Sequence, residues 1–370
     1  MKVMCVFGTR PEGIKMAPII KELKKRDNIE TIVCITAQHR EMLDQVLKLF
    51  DIVPDYDLNI FMPGQSLTEI TTRAIRGLEK VIKSEEPDVL LVQGDTTTVF
   101  AGALAAFYQK VKIGHVEAGL RSGNVYSPYP EEANRRLTGI LTDYHFAPTE
   151  RNRQNLLKEN YPDEKIYITG NTVIDALQYT IKENYIFDNE GLNNVDYINK
   201  RIILLTSHRR ENLGEPMENI FKAVNDIAMK YNDVEIIFPM HLNPKVREAA
   251  YTIMGQNTKV HLIEPLDYEP FTNLMARSHI VVTDSGGLQE EAPTLGKPVL
   301  VVRQETERPE GVEAGTAKLV GTDYKTIYDN IDLLLSNNLE YEKMAKAVNP
   351  YGDGKTSERI VEILLKSSKQ

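Results

Sequence analysis

Short runs rich in Val and Ile, with no polar alternation, recur along the whole chain, each followed by an amphipathic stretch of helical length. A run of that kind suits a strand buried on both faces, and such strands belong to parallel sheets covered by helices. In the first half the runs are 2–7, 30–36, 88–92, 111–116, 143–147 and 165–169. In the second half they are 201–206, 233–239, 259–263, 279–283, 298–302 and 317–320. The strand–helix alternation predicts an α/β protein built as two Rossmann-like, doubly wound parallel-sheet domains.

The pattern weakens once, over 183–200, where Asn189, Gly191, Asn193 and Asn194 fall. At 370 residues the chain is long enough for two cores. The sequence therefore predicts an N-terminal domain over 1–182, a link over 183–200 and a C-terminal domain over 201–355. A terminal helix, 356–370, opens after the turn-rich Asn349-Pro350-Tyr351-Gly352-Asp353-Gly354.

A net charge of −9, from 44 basic and 53 acidic residues, argues against nucleic acid or an anionic membrane surface as the partner. An anionic ligand then has to be held by a local cluster of Arg, Lys and backbone N–H groups. Cys5 and Cys34 sit in apolar runs and read as reduced core thiols. The N-terminus enters Val3-Met4-Cys5-Val6-Phe7 directly, too short for a signal-peptide core, and no later run is long enough for a bilayer. A cytoplasmic address is expected.

In an open parallel sheet, ligands bind beyond the carboxyl ends of the strands. The chemically useful residues collect there. The first-half runs end in Gly8-Thr9-Arg10, Thr36-Ala37-Gln38-His39, Gln93-Gly94-Asp95-Thr96 and Val116-Glu117-Ala118-Gly119. Those of the second half end in Ser207-His208-Arg209-Arg210-Glu211, Met240-His241 and Thr283-Asp284-Ser285-Gly286-Gly287. Two such mouths facing each other predict a central cleft.

Gly8-Thr9-Arg10-Pro11-Glu12 reads as a turn into a helix whose first N–H groups and Arg10 suit an anion, with Lys15 one turn further in. Ser285, Gly286 and Gly287 offer a hydroxyl and close backbone approach, and Glu291 is placed to accept both hydroxyls of a ribose. The dinucleotide fingerprint G-x-G-x-x-G is absent at both places. His208 with Arg209 and Arg210 points to a diphosphate, and Arg308 in the loop after 298–302 adds a cation. Asp95 and Glu117 each follow an apolar run directly, where an idle carboxylate is costly to desolvate. Glu131 opens a helix after Pro130, which is also an everyday helix start. The seven histidines lie on separate elements without metal-ligand spacing, so no metal is expected.

Phe7-Gly8-Thr9-Arg10-Pro11-Glu12 with Lys15-Met16-Ala17-Pro18 resembles the opening of the non-hydrolysing UDP-N-acetylglucosamine 2-epimerases. The resemblance continues in order through Thr36–Arg40, Gly94–Thr98, His115–Arg121, Pro130–Arg135, Thr169–Thr172, His208–Glu211, Thr283–Gly287 and Glu307–Glu310. Only 183–200 lacks a counterpart.

The resemblance implies a GT-B-like architecture, a homodimer and reversible conversion of UDP-GlcNAc to UDP-ManNAc, feeding cell-envelope or capsule polysaccharide, with no cofactor. Carried over by position, Arg10, Lys15, Asp95, Glu117, His208, Phe271, Ser285, Gly286, Gly287, Glu291 and Arg308 would bind substrate. Asp95, Glu117 and Glu131 would act at the sugar, with His208 helping the diphosphate leave. Gln38, Gln65, Glu131, Arg209 and His241 match an allosteric site for a second UDP-GlcNAc. Glu41, Gly64, Gln93 and Leu266 depart from the family pattern.

Inverting C2 without a nicotinamide requires expelling UDP, so that the cation developing at C1 acidifies the C2 proton. A 2-acetamidoglucal results, and UDP adds back after protonation from the opposite face. Diphosphate stabilisation and carboxylates near the ring are the inventory this route needs. Three other readings share parts of it: a hydrolysing epimerase, a glycosyltransferase, and a nucleotide-sugar sensor without chemistry.

Overall fold

The computed structural model describes residues 1–367. The chain divides into two compact units, Met1–Tyr179 with Tyr351–Gln370, and Thr180–Pro350.

The first unit holds seven strands: β1 Lys2–Phe7, β2 Glu30–Ile35, β3 Tyr56–Asp57, β4 Val89–Gln93, β5 Lys112–Val116, β6 Tyr144–Ala147 and β7 Ile166–Ile168. They form one parallel sheet in the order β3-β2-β1-β4-β5-β6-β7. The second unit holds β8 Arg201–Thr206, β9 Val234–Pro239, β10 Val260–Ile263, β11 Ile280–Thr283, β12 Val299–Val301 and β13 Ala317–Leu319. Their order is β10-β9-β8-β11-β12-β13, again all parallel. Each sheet starts at its first strand, winds outward one way, then returns to wind the other. That is the doubly wound Rossmann arrangement, and it leaves a switch point between β1 and β4 and another between β8 and β11.

The apolar runs become the strands because both sheet faces are covered. Met4, Val6, Cys34, Leu90 and Val92 pack against Leu78, Val99 and Ala103 from the helices of the first unit. Ile203, Leu205, Ile236, Phe238 and Val282 meet Phe221, Val224 and Ile331 in the second. Cys5 and Cys34 are unpaired and buried, and burial pushes both thiols up to about 12, where they are inert. Among the described residues no helix is long and apolar enough to cross a membrane.

The two-residue β3 was not visible as an apolar run, since Tyr56-Asp57 pairs only with Cys34-Ile35 at the sheet edge. The polar stretch 183–200 is packed into the second unit. Phe187, Leu192 and Val195 are buried, and Arg277 lies over the rings of Phe187 and Tyr197 while donating to the Tyr185 carbonyl at 2.6 Å. Its asparagines are turn-makers: Asn189 accepts from the N–H groups of Gly191 and Leu192, and Asn193 bridges the backbone of Phe187. The division between units falls earlier, after Tyr179.

The terminal helix Thr356–Ser367 belongs to the first unit, where it packs on helix Arg10–Lys24. Buried Asp175 accepts from the N–H of Ser357 at 2.7 Å and of Thr356 at 3.3 Å. The expected extension over 368–370 lies outside the described residues.

His115 on β5 and His145 on β6 stand side by side in register and are both buried. Desolvation drives His115 down to about 4 and His145 to about 3, so both rings are neutral in the fold. Unfolded imidazoles titrate near 6.5, so between those values the unfolded chain binds more protons and stability rises with pH. Acidification from pH 7 to 5 should therefore lower the thermal midpoint, with each ring contributing up to about 1.4 kcal/mol per pH unit. His145 makes no hydrogen bond through either ring nitrogen. His145→Leu should hold its midpoint at pH 7 and show a shallower decline on acidification; an unchanged slope would remove His145 from the account.

Candidate functional site

Each switch point carries a cluster of polar side chains. In the first unit, Glu12 turns back from helix Arg10–Lys24 and accepts from the N–H groups of Gly8 at 2.9 Å and Thr9 at 2.7 Å. Its other oxygen takes the Thr96 hydroxyl from beyond β4. Burial raises the Glu12 pKa, and these donors oppose that rise. Glu12 thus occupies the N–H groups of Gly8 and Thr9, which lie just ahead of the first turn of the helix. Arg10 is half-buried, and among the described residues no hydrogen bond or ion pair holds its guanidinium. Gly8 is required by packing, since a Cβ there would lie 2.0 Å from the Thr36 hydroxyl.

Glu117 follows β5 with φ +67, a left-handed conformation that costs a non-glycine residue about 1–3 kcal/mol. Strain of this order persists where surroundings over-determine it. Here Lys15 and the Gln93 amide both donate to the same Glu117 oxygen. Lys15, expected at UDP, is therefore placed on a carboxylate. Its side chain is 18% exposed and that of Glu117 is 9% exposed, so the pair is largely withdrawn from water.

Asp95 follows β4. Arg135 grips its carboxylate through Nε at 2.9 Å and a terminal nitrogen at 2.6 Å, while the Asn134 amide donates to its carbonyl at 2.9 Å. Both come from helix Glu131–Leu141, so these contacts pin the start of the helix that carries Glu131. Arg135 also donates to Glu132 at 3.1 Å. Burial opposes ionisation of Glu132, but the Ser122 N–H, Arg135 and Arg136 outweigh it and hold its pKa below the ordinary value. Glu131 itself is half-exposed. Buried His115 connects the ends of β4 and β5: its Nε2 meets the Gly94 carbonyl at 2.7 Å, and it feels both Asp95 and Glu117.

Gln38 accepts from the Thr98 hydroxyl at 2.9 Å, and Gln65 accepts from Arg73 at 3.4 Å. These two glutamines sit on separate loops, with no hydrogen bond joining them.

In the second unit the organising group is Asp284, fully buried at the end of β11. Its Oδ2 accepts from the backbone N–H groups of His208 and Arg209, both at 2.8 Å, from the Ser207 hydroxyl at 3.2 Å and from the Asn212 amide at 3.2 Å. The loop after β8 is folded around this one carboxylate. His208 stacks on His241, with ring centroids 5.6 Å apart. Arg209 lies 3.7 Å from Glu307, and Arg308 donates to buried Glu290.

Thr306 donates to Gln289 at 2.7 Å, which ties the Arg308 loop to helix Leu288–Thr294. Glu291 is buried beside Tyr268, whose hydroxyl is pushed well up by desolvation and by that carboxylate. Phe271 is half-buried on the following turn of helix Tyr268–Arg277. Gly286 and Gly287 differ from Gly8: a Cβ would meet only Glu307 at 3.8 Å or Glu291 at 3.6 Å. The fold leaves room for a methyl at both.

The family model described as UDP-N-acetylglucosamine 2-epimerase matches residues 21–365. A UDP-N-acetylglucosamine 2-epimerase of Bacillus subtilis (strain 168) is 57% identical over 368 residues, covering 99% of this chain and 95% of the relative. The chain belongs to the UDP-N-acetylglucosamine 2-epimerase family.

Solved members share its fold. The Neisseria meningitidis UDP-GlcNAc 2-epimerase, bound to UDP-GlcNAc, superposes with a TM-score of 0.87 at 55% identity, covering 99% of this chain and 100% of that one. S. aureus MnaA, in a co-structure with UDP, gives 0.86 at 53% identity, covering 100% and 97%.

The position of Asp95 and Glu117 after apolar runs marks these carboxylates in the sequence but not the groups that hold them. Arg135, Glu132 and Gln93 were not singled out as partners, nor was Asp284 as an anchor. For Asp284 the signal was present, because it follows an apolar strand as directly as Asp95 does.

Proposed function

We propose that this chain interconverts UDP-N-acetylglucosamine and UDP-N-acetylmannosamine without releasing free sugar. The observation that carries the reading is the pair of braced carboxylates, Asp95 on Arg135 and Glu117 on Lys15 and Gln93, at the ends of adjacent strands. A sensor has no use for two cation-braced acids at a strand mouth, one of them, Glu117, held in a strained backbone, whereas proton exchange at C2 does.

In this reading UDP is bound by Arg10, Lys15, His208, Phe271, Ser285, Gly286, Gly287, Glu291 and Arg308, the residues matched by position to the family's substrate site. His208 stabilises the departing diphosphate. Among Asp95, Glu117 and Glu131, one carboxylate takes the C2 proton as UDP leaves C1, which gives a 2-acetamidoglucal; a proton is then returned to C2 on the opposite face and UDP adds back to C1. Preorganised donors aimed at developing charge contribute about 2.7–4 kcal/mol each at the transition state. The Lys15–Glu117 contact supports a further role for Lys15, in holding the sugar acid. The product serves cell-envelope or capsule polysaccharide, made in the cytoplasm where nucleotide sugars are formed.

A second UDP-GlcNAc at Gln38, Gln65, Glu131, Arg209 and His241 would act as activator, with Glu41 and Gly64 altering its strength. The homodimer has a ready surface: Phe107, Tyr108, Leu137 and Ile140 are exposed large apolar side chains on the packed helices Thr97–Tyr108 and Glu131–Leu141.

Incubation with UDP-GlcNAc in D2O should place deuterium at C2 of both epimers and release no free ManNAc. Free ManNAc as main product indicates the hydrolysing reaction, and unlabelled substrate indicates a binder or a transferase awaiting an acceptor. Glu117→Gln should lose at least about a hundredfold in exchange while still binding UDP. Gly287→Ala should melt like the parent yet bind UDP about tenfold more weakly, which is about 1.4 kcal/mol; equal affinity would exclude close approach of the ligand there. Ile140→Glu should convert a dimer to a monomer by light scattering, and an unchanged mass would place the interface elsewhere.

A further inference from the structure

The two oxygens of Asp284 are used differently. Oδ2 takes the four donors of the His208 loop, whereas Oδ1, equally buried, makes no hydrogen bond of its own and faces His208 Nδ1 at 3.2 Å. A buried carboxylate oxygen left without a donor is costly. The imidazole edge turned toward it meets that need only if Nδ1 carries the hydrogen.

Two contacts favour this orientation of the ring. Its own backbone N–H is fixed to the same carboxylate, and its face is stacked on His241 at a 17° interplanar angle. The His241 ring is itself oriented, since its Nδ1 accepts from the Asn243 N–H at 3.1 Å. The Thr206 and Thr283 hydroxyls, 2.6 Å apart, join the ends of β8 and β11, and the Ser285 N–H donates to Thr283 at 2.9 Å. One carboxylate thus governs the His208 loop and begins the Ser285–Gly287 turn.

We propose that Asp284 is a positioning residue for the reaction: it fixes His208 in the Nδ1–H tautomer, turns the opposite nitrogen, Nε2, to the ligand, and keeps the ring in reach of a proton when a diphosphate arrives. This rests on the proposed function for its substrate, but the tautomer does not. The charges facing His208 are Asp284 from β11, His241 from the end of β9 and Arg209 from its own loop, with Glu307 beyond Arg209. Partial burial lowers the His208 pKa first, Asp284 raises it, and His241 and Arg209 lower it further. Without the Asp284 charge the ring becomes harder to protonate, so a step that needs imidazolium moves to lower pH. A diphosphate beside Nε2 works in the same direction as Asp284, and the departing UDP then leaves from a protonated ring.

Two measurements test this. In the unliganded wild-type protein labelled with 15N-histidine, with His208 assigned by loss of its signals in His208→Gln, the imidazole shifts should report the Nδ1–H tautomer. A dominant Nε2–H tautomer overturns the proposal, and this arm needs neither substrate nor an Asp284 variant.

The second measurement uses Asp284→Asn, which keeps an oxygen for the loop N–H groups but removes the charge. It should lower kcat for epimerisation about 10- to 100-fold, the range seen when carboxylates behind metal-bound histidines are removed. KM should change less than about threefold if the group acts on turnover and not on ground-state binding, and the pH profile of kcat should move to lower pH. In a His208→Gln background Asp284→Asn should have no further effect. Wild-type kcat and pH profile in Asp284→Asn, or the same loss repeated in the His208→Gln background, overturns the proposal. Wild-type protein that leaves C2 unlabelled in D2O would instead count against the proposed reaction, with the tautomer still decided by the first measurement.

Discussion

A carboxylate taken out of water costs several kcal/mol unless donors replace the water, and in both units that cost is met at one place, the carboxyl edge of a parallel sheet. The sheets are covered on both faces, so their strand mouths are where polar chemistry can enter. Glu12, Glu117 and Glu132 in the first unit and Asp284 in the second are each withdrawn from solvent and surrounded by backbone N–H groups, amides or cations. These groups set the shape of the loops around them. The loop after β8 is a ring of donors converging on Asp284, and the turn after β1 is closed by Glu12.

The two units balance charge in opposite senses. The first presents acids that are braced by bases, Asp95 on Arg135 and Glu117 on Lys15. The second presents bases that are braced by acids: Arg308 on Glu290, Arg303 on Glu211, and Arg209 near Glu307. Glu307, with its pKa lowered by Arg303, Arg209 and Arg308 against the burial that would raise it, stays an anion among three guanidiniums. Cations held this way lose little freedom when an anion approaches.

Much of this was legible in the chain itself. The strands were, because Val and Ile runs without polar breaks have few other uses, and the edge where charged residues collect followed from the strand direction. Asp95 and Glu117 stood out because each is charged immediately after an apolar run. Their partners did not, since Arg135 lies 40 residues from Asp95 and Lys15 lies 102 from Glu117, distances at which periodicity carries no information. β3 was invisible because two residues make no pattern. The segment 183–200 misled in a different way. Its asparagines hydrogen-bond to nearby backbone, and Phe187, Leu192 and Val195, spaced among polar residues, are buried.

The chain passes from the first unit to the second after Tyr179 and returns after Pro350, so the second unit is an insertion within the first. The last helix, seated on Asp175 and on helix Arg10–Lys24, closes a structure whose sheet is translated long before. During synthesis the earlier-made sheet has to wait with one flank uncovered until the whole inserted unit has emerged. The part of the protein that begins first is completed last, and a nascent chain halted within Thr180–Pro350 exposes apolar surface that the finished molecule hides.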